Sequence, residues 1–304
     1  MSLRIVFMGT PEFAVPSLEI LARNGYDIAA VVTATDKIGG RGKKQILQSA
    51  VKQYAIEHGI PVLQPENLKN PEFIEALRQL KANLQVVVAF RMLPEEVWNM
   101  PQHGTFNLHG SLLPKYRGAA PINWAIINGE TETGVTTFFI QHEIDTGDVL
   151  LQARLPIGEN ETAGEVHGRM MLLGADTVLK TVRLIESGNY KLEKQDSSLA
   201  TKAPKIFHDT CEINFAQPTQ KIHDFIRGLS PYPAAWTLLD GKELKILRTT
   251  KEITSHAHPP GALVSDNKSF LKIATLDGFV QIHELQLQGR KRMPVLDFLN
   301  GFSF

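Results

Sequence analysis

LRIVFMGTPEFAVPSLEILARNGYDIAAVV, residues 3–32, decides the fold class. Leu3 to Met8 is largely apolar, the composition of a strand buried on both faces, and it ends at Gly9-Thr10-Pro11. Val15 to Arg23 then places Val15, Leu18, Leu21 and Ala22 on one helical face, and Gly25 stands where a helix stops. Ile28 to Val32 is a second buried strand. Strand, helix, strand in that order is a right-handed βαβ unit, the building block of a parallel sheet.

Outward from this unit the alternation continues. The pattern predicts a helix over Ser49–His58, a short strand near Val62, a helix over Pro71–Leu80, a valine-rich strand over Leu84–Phe90 and a short strand over Phe106–His109. Thr133–Gln141 and Val149–Pro156 read as two strands joined around Asp145-Thr-Gly-Asp148. Thr162-x-x-Glu165 is a capping box that opens a long helix ending at Ser187, before Gly188. The expectation is an α/β domain with an open, mostly parallel sheet over residues 1–189. Lys191–Lys205 is polar and aperiodic, which predicts a linker over residues 190–208. Beyond it, short strands alternate with turns such as Asp240-Gly241 and Asp277-Gly278, interrupted by one helix over Pro218–Gly228. That texture predicts a small OB-like β-barrel over residues 209–304.

Composition narrows the function classes. The 304 residues are 43% hydrophobic and 21% charged, ordinary for a folded chain of two modest domains. Lys and Arg total 32, as do Asp and Glu, so no global field draws a polyanion and any nucleic-acid contact must come from a local patch. The single cysteine, Cys211, excludes an internal disulfide and a multi-thiolate metal site. No apolar run approaches the ~20 residues of a membrane helix, and the first residues lack a signal-peptide pattern, so the expectation is a soluble, cytoplasmic protein.

The first turn, Gly9-Thr-Pro-Glu-Phe-Ala14, sits where a dinucleotide fingerprint would, but Pro11 replaces the glycine that lets a pyrophosphate approach. Asp36-Lys-Ile-Gly-Gly-Arg-Gly-Lys-Lys44 fails the P-loop template at its first glycine and at its Ser/Thr. What remains is a glycine-rich loop with four cations against one acid, either a solvated surface loop or a phosphate clamp. Asn107 and His109 are two residues apart, so on a strand both point to the same side. At the carboxyl end of a parallel strand that side faces the usual ligand crevice. The histidine can move protons near neutral pH and the amide can donate to a developing oxyanion. Asp145, between apolar Ile144 and Gly147, is a candidate carboxylate partner for His109. The alternative for these three is polar groups satisfied within the fold. His256-x-His258 lacks nearby carboxylate spacing, and Cys211 lacks an activating base.

Asn107-Leu-His109 followed by Ser111-Leu-Leu-Pro114, Arg117-Gly118 and Asp145-Thr-Gly147 closely resembles the 10-formyltetrahydrofolate-dependent formyltransferases. Gly9-Thr-Pro-Glu-Phe-Ala14, Gly40-Arg-Gly-Lys-Lys44, Ala119-Ala-Pro-Ile122 and Ile226-Arg-Gly-Leu-Ser-Pro-Tyr-Pro233 narrow the resemblance to members acting on initiator methionyl-tRNA. The resemblance implies a Rossmann-like catalytic domain, an OB-like tRNA-binding domain, 10-formyltetrahydrofolate as co-substrate and no metal. It carries over Asn107, His109 and Asp145 as catalytic residues. Ser111, Leu112, Leu113 and Pro114, with Phe90 and Met92, become the folate pocket, and Arg41, Lys43 and Lys44 the contacts to tRNA. Val88-Ala-Phe-Arg-Met-Leu-Pro94 departs from the family's usual Ala-Tyr-Gly followed by Leu-Pro, with Arg91 near the glycine's place. The pattern gives no oligomeric state, and a monomer is compatible with it. Two other readings remain at this point: a formyltransferase for a small amine such as a sugar nucleotide or glycinamide ribonucleotide, and a non-catalytic RNA-binding protein.

Overall fold

A computed structural model describes residues 2–39 and 45–302. In chain order the elements are β1 (Arg4–Gly9), α1 (Val15–Arg23), β2 (Asp27–Val32), β3 (Lys37–Gly39), β4 (Gln45–Leu47), α2 (Ala50–Glu57), β5 (Val62–Leu63), α3 (Pro71–Gln79), β6 (Leu84–Val88), α4 (Glu95–Trp98) and β7 (Thr105–His109). There follow α5 (Pro121–Ile127), β8 (Glu132–Phe139), β9 (Val149–Pro156) and α6 (Ala163–Ser187). The remainder comprises α7 (Thr219–Leu229), β10 (Ala235–Leu239), β11 (Lys242–Ile253), β12 (Leu263–Ser265), β13 (Leu271–Ala274), β14 (Gly278–Leu287), β15 (Met293–Pro294) and α8 (Val295–Leu299). They group into two compact units: Met1–Arg117, Gly134–Arg154 and Gly168–Thr201 in the first, and Gly118–Thr133, Leu155–His167 and Lys202–Phe304 in the second.

The first unit is built on a seven-stranded sheet in the order β5-β2-β1-β6-β7-β8-β9. The pairs from β5 to β7 are parallel and β8 runs antiparallel to β7, so the expected mostly parallel α/β sheet is what forms. The apolar run read from Leu3 makes β1 a buried central strand. Two helices start where a side chain satisfies one of their first N–H groups: Ser49 accepts from Lys52 N before α2, and Asn70 accepts from Glu72 N before α3. The strand order reverses at β1, which has β2 on one side and β6 on the other. In open α/β sheets such a switch point places a crevice outside the carboxyl ends of the strands. Gly9 closes β1 there, and a Cβ on it would lie 2.7 Å from Ala14 Cβ and 3.0 Å from the Val88 carbonyl, so the tight turn requires glycine.

Two details depart from the sequence pattern. β6 stops at Val88 rather than Phe90, because Ala89 turns to φ +49° and leaves the extended path. The segment after β2 is a short hairpin, with Lys37 opposite Leu47, Ile38 opposite Ile46 and Gly39 opposite Gln45. Three-residue strands are too short to show a period of two.

In the second unit β10-β11-β14-β13-β12 form a curled antiparallel sheet with β15 on β14. Register shifts between Ile246 and Thr249 bend β11, as bulges do. α7 lays Ile222, Ile226 and Leu229 into the core with Ile246, Val280, Ile282 and Phe298. No helix among the described residues is long and apolar enough to cross a membrane.

Candidate active site

The site is assembled at the carboxyl end of β7. This strand pairs with β6 on one side and β8 on the other, with Asn107 opposite Val87 and Phe138 and His109 opposite Thr136. Asn107 is half-buried and His109 is buried. The His109 Nε2 lies 2.8 Å from the Tyr116 carbonyl. A carbonyl only accepts, so Nε2 carries a hydrogen and donates it, leaving Nδ1 as the ring nitrogen that can take up a proton. That Nδ1 is 3.8 Å from Asp145 Oδ2, with the two side chains 7% and 13% exposed. The separation exceeds hydrogen-bond reach, so the carboxylate acts on the ring as a charge in poorly screened surroundings. Asp145 itself sits at φ +56° in the connection between β8 and β9.

The chain after His109 is a braced loop. Thr136 Oγ donates to the Ser111 carbonyl at 2.7 Å and accepts from Leu113 N at 3.0 Å. Gln152 Nε2 donates to the Leu113 carbonyl at 2.7 Å and to Thr136 Oγ at 3.1 Å. Ser111 is buried and its hydroxyl donates to the Lys115 carbonyl at 2.6 Å, so this side chain shapes the loop. Leu112 and Pro114 are half-buried and Leu113 is buried. Leu112 folds over Gly134, where a Cβ would come within 2.6 Å of it. Phe90 follows the adjacent strand β6 and packs against the core cluster of Val6, Met8 and Val87. Arg91 lies over the Phe90 ring at 5.7 Å and donates to the carbonyls of Pro65 and Glu66. The guanidinium thus ties down the segment whose sequence departs from the family pattern. Met92 is 74% exposed.

Arg41, Lys43 and Lys44 lie outside the described residues. The residues flanking them form the β3–β4 hairpin, which exposes Ile38, Ile46 and Leu47. Its base is pinned at Asp36, whose carboxylate accepts from Gln64 Nε2 at 2.8 Å and Lys52 Nζ at 2.6 Å. The Gln64 hydrogen bond, then the Lys52 ammonium, hold the Asp36 carboxyl below its ordinary range. Thr136 and Gln152 escaped the sequence reading, since a threonine and a glutamine within apolar strands carry no chemical signature of their own.

Residues 3–182 match the family described as formyl transferase, and residues 205–303 match the formyl transferase C-terminal domain. A methionyl-tRNA formyltransferase of Parabacteroides distasonis is 55% identical over 311 residues, covering 99% of this chain and 96% of that protein. The chain belongs to the methionyl-tRNA formyltransferase family. The resemblance carried by Asn107 to Gly118 and Asp145 to Gly147 is thereby borne out. Solved structures agree on the fold of this formyltransferase. An N-formyltransferase of Helicobacter canadensis, in complex with folinic acid and dTDP-3-aminofucose, superposes with TM-score 0.70 at 22% identity, over 96% of this chain and all of that one. HypX of Aquifex aeolicus in complex with tetrahydrofolic acid gives TM-score 0.66 at 20% identity over 98% of this chain. The formyltransferase spans about half the length of HypX, 47%.

Proposed function

We propose that this enzyme transfers the formyl group of 10-formyltetrahydrofolate to the α-amino group of methionine esterified to initiator tRNA. The observation that carries the chemistry is the Asn107–His109 pair at the end of β7 with Asp145 3.8 Å from His109 Nδ1. The amine attacks the formyl carbon, and the bond from that carbon to folate N10 breaks as the tetrahedral intermediate collapses. Asn107 donates to the oxyanion of that intermediate, a preorganised contact whose loss typically costs ~10²–10³ in turnover. His109 Nδ1 takes the proton released by the amine and passes it toward the folate nitrogen. Asp145 stabilises the ring while it carries that proton. The braced Ser111–Pro114 loop with Phe90 forms the wall against which the folate ring lies, and Met92 closes its outer edge. Arg41, Lys43 and Lys44 hold the tRNA backbone, with Arg41 able to fix a phosphate in bidentate fashion. The first unit is the catalytic domain, residues 209–304 of the second bind tRNA, and the reaction belongs in the cytoplasm.

The acceptor is tested by offering methionyl initiator tRNA and an amino-sugar nucleotide in parallel with labelled formyl donor. Label is expected in the tRNA fraction. Label only in the sugar fraction overturns the acceptor while keeping the chemistry.

A further inference from the structure

Residues 193–201 look like a linker in sequence, yet in the structure they run against the site. Glu193 pairs antiparallel with Val149, through hydrogen bonds of 2.8 and 3.0 Å. Gln195 Nε2 donates to the backbone carbonyls of Asp145 at 2.9 Å and Gly147 at 2.8 Å. Its Oε1 accepts from Arg117 Nε at 3.2 Å and Nη2 at 2.7 Å. Six residues on, Thr201 Oγ accepts from Tyr116 N at 2.8 Å and the Thr201 carbonyl accepts from Arg117 N at 2.9 Å.

These contacts converge on His109 from both sides. Tyr116 supplies the carbonyl that takes Nε2, and Asp145 supplies the carboxylate facing Nδ1. Both stand at positive φ, +60° for Tyr116 and +56° for Asp145, where residues other than glycine are strained. Such conformations persist only where the surroundings impose them, and here the same short stretch bonds to the backbone at both.

We propose that residues 193–201 are a positioning strap, and that Gln195 is the positioning residue that holds Asp145 against His109. The inference rests on the proposed roles of His109 and Asp145. The chemistry of the contacts selects glutamine. Arg117 can only donate, so the position facing it must accept; two carbonyls can only accept, so the position facing them must donate. One side-chain amide does both. A glutamate of the same shape keeps the arginine contact and presents oxygen to the two carbonyls, releasing the Asp145 turn while keeping the rest of the strap.

The test compares Gln195→Glu, Asp145→Asn and the double variant in full-length enzyme. Gln195→Glu is expected to lower kcat by about 10²-fold, the typical cost of misplacing a catalytic group by ~1 Å, with KM for both substrates within twofold. If Gln195 acts through Asp145, the double variant is no slower than Asp145→Asn alone. Multiplying losses, or a kcat within twofold of wild type, overturn the proposal. A structural role alone would lower the melting temperature and raise KM without that non-additivity. Thr201→Val, which removes one acceptor at the other end of the strap, serves if Gln195→Glu fails to fold, with the same kcat loss at constant KM expected and an unchanged kcat counting against the strap. One readout needs no turnover: in histidine-labelled protein, Gln195→Glu should move the His109 Nδ1 resonance in the direction that Asp145→Asn moves it. An unmoved resonance defeats the strap even where transfer to tRNA is intact. A moved resonance in a protein that formylates no tRNA upholds the strap and defeats the acceptor assignment.

Discussion

Gly147→Ala should slow formyl transfer without abolishing the fold. Gly147 is buried two residues beyond Asp145, and a Cβ there would lie 1.7 Å from the Phe139 carbonyl oxygen and 2.9 Å from its carbon. Real Cβ contacts do not fall below 3.0 Å, so the gap must open by at least 1.3 Å. Phe139 is held in the sheet, where it pairs with Phe106 and the next residue, Ile140, donates its N–H to the Thr105 carbonyl. The loop carrying Asp145 must move instead. A displacement of the carboxylate by that amount directly away from His109 Nδ1, the largest effect it can have, would lengthen 3.8 Å to about 5.1 Å. At an effective dielectric of ~20, the charge interaction with a protonated ring weakens by about 1.1 kcal/mol, roughly sixfold in rate. Misalignment raises the expected loss toward ~10²-fold. The assay is single-turnover formyl transfer at saturating folate and methionyl-tRNA, with circular dichroism as the fold control. A folded variant that turns over within twofold of wild type would refute the placement of Asp145.

Asp145→Asn should lower kcat on the order of 10²–10⁴-fold while folate affinity, measured by titration, stays unchanged; loss of affinity alone would make Asp145 a binding residue. Arg41→Ala should weaken the tRNA reaction in a salt-dependent manner and spare folate binding, with little recovery in Arg41→Lys, as steady-state kinetics at two salt concentrations will show. Asp224→Ala should destabilise the second unit by about 3–5 kcal/mol in urea titrations, because it removes the counter-charge of Arg227, whose side chain is 6% exposed and bonded to Asp224 at 2.7 Å. His223 is buried, bonded to Thr249 and the Glu159 carbonyl, and burial pushes its pKa below the ordinary 6.5. The unfolded chain therefore takes up a proton first as pH falls. The stability due to neutral His223 is complete above about 6.5 and is lost below it toward the folded value, by up to ~1.4 kcal/mol per pH unit. Urea midpoints at pH 7.5 and 5.5 should show this loss in wild type and not in His223→Gln.

Much of the frame was legible because burial imposes periodicity. α1 runs over Val15–Arg23 as its apolar face indicates, and the Thr162 capping box is formed, with Glu165 accepting from Thr162 N at 2.8 Å. The two-residue spacing of Asn107 and His109 put them on one side of β7 for the same reason. What stayed hidden depends on contacts distant in sequence. Thr136 reaches a loop about 25 residues earlier, and Gln195 reaches Arg117 across 78 positions and Asp145 across 50. Apart from the Arg117 guanidinium, the partners of these side chains are backbone groups, which every residue possesses, so composition cannot mark them. The stretch 191–205 read as a linker because its polar residues hydrogen-bond to partners far away in sequence rather than forming an apolar face. Ala89 hid the end of β6 because alanine seldom adopts positive φ, and only the packed structure imposes it.

The most direct measurement is transfer of labelled formyl from 10-formyltetrahydrofolate to charged initiator tRNA by wild type, Asn107→Ala and His109→Ala, each shown to be folded. Wild type should produce formyl-methionyl-tRNA, Asn107→Ala should fall by ~10²–10³, and His109→Ala should lose the transfer. A folded His109→Ala that transfers formyl at the wild-type rate would contradict the assignment of the chemistry to the end of β7.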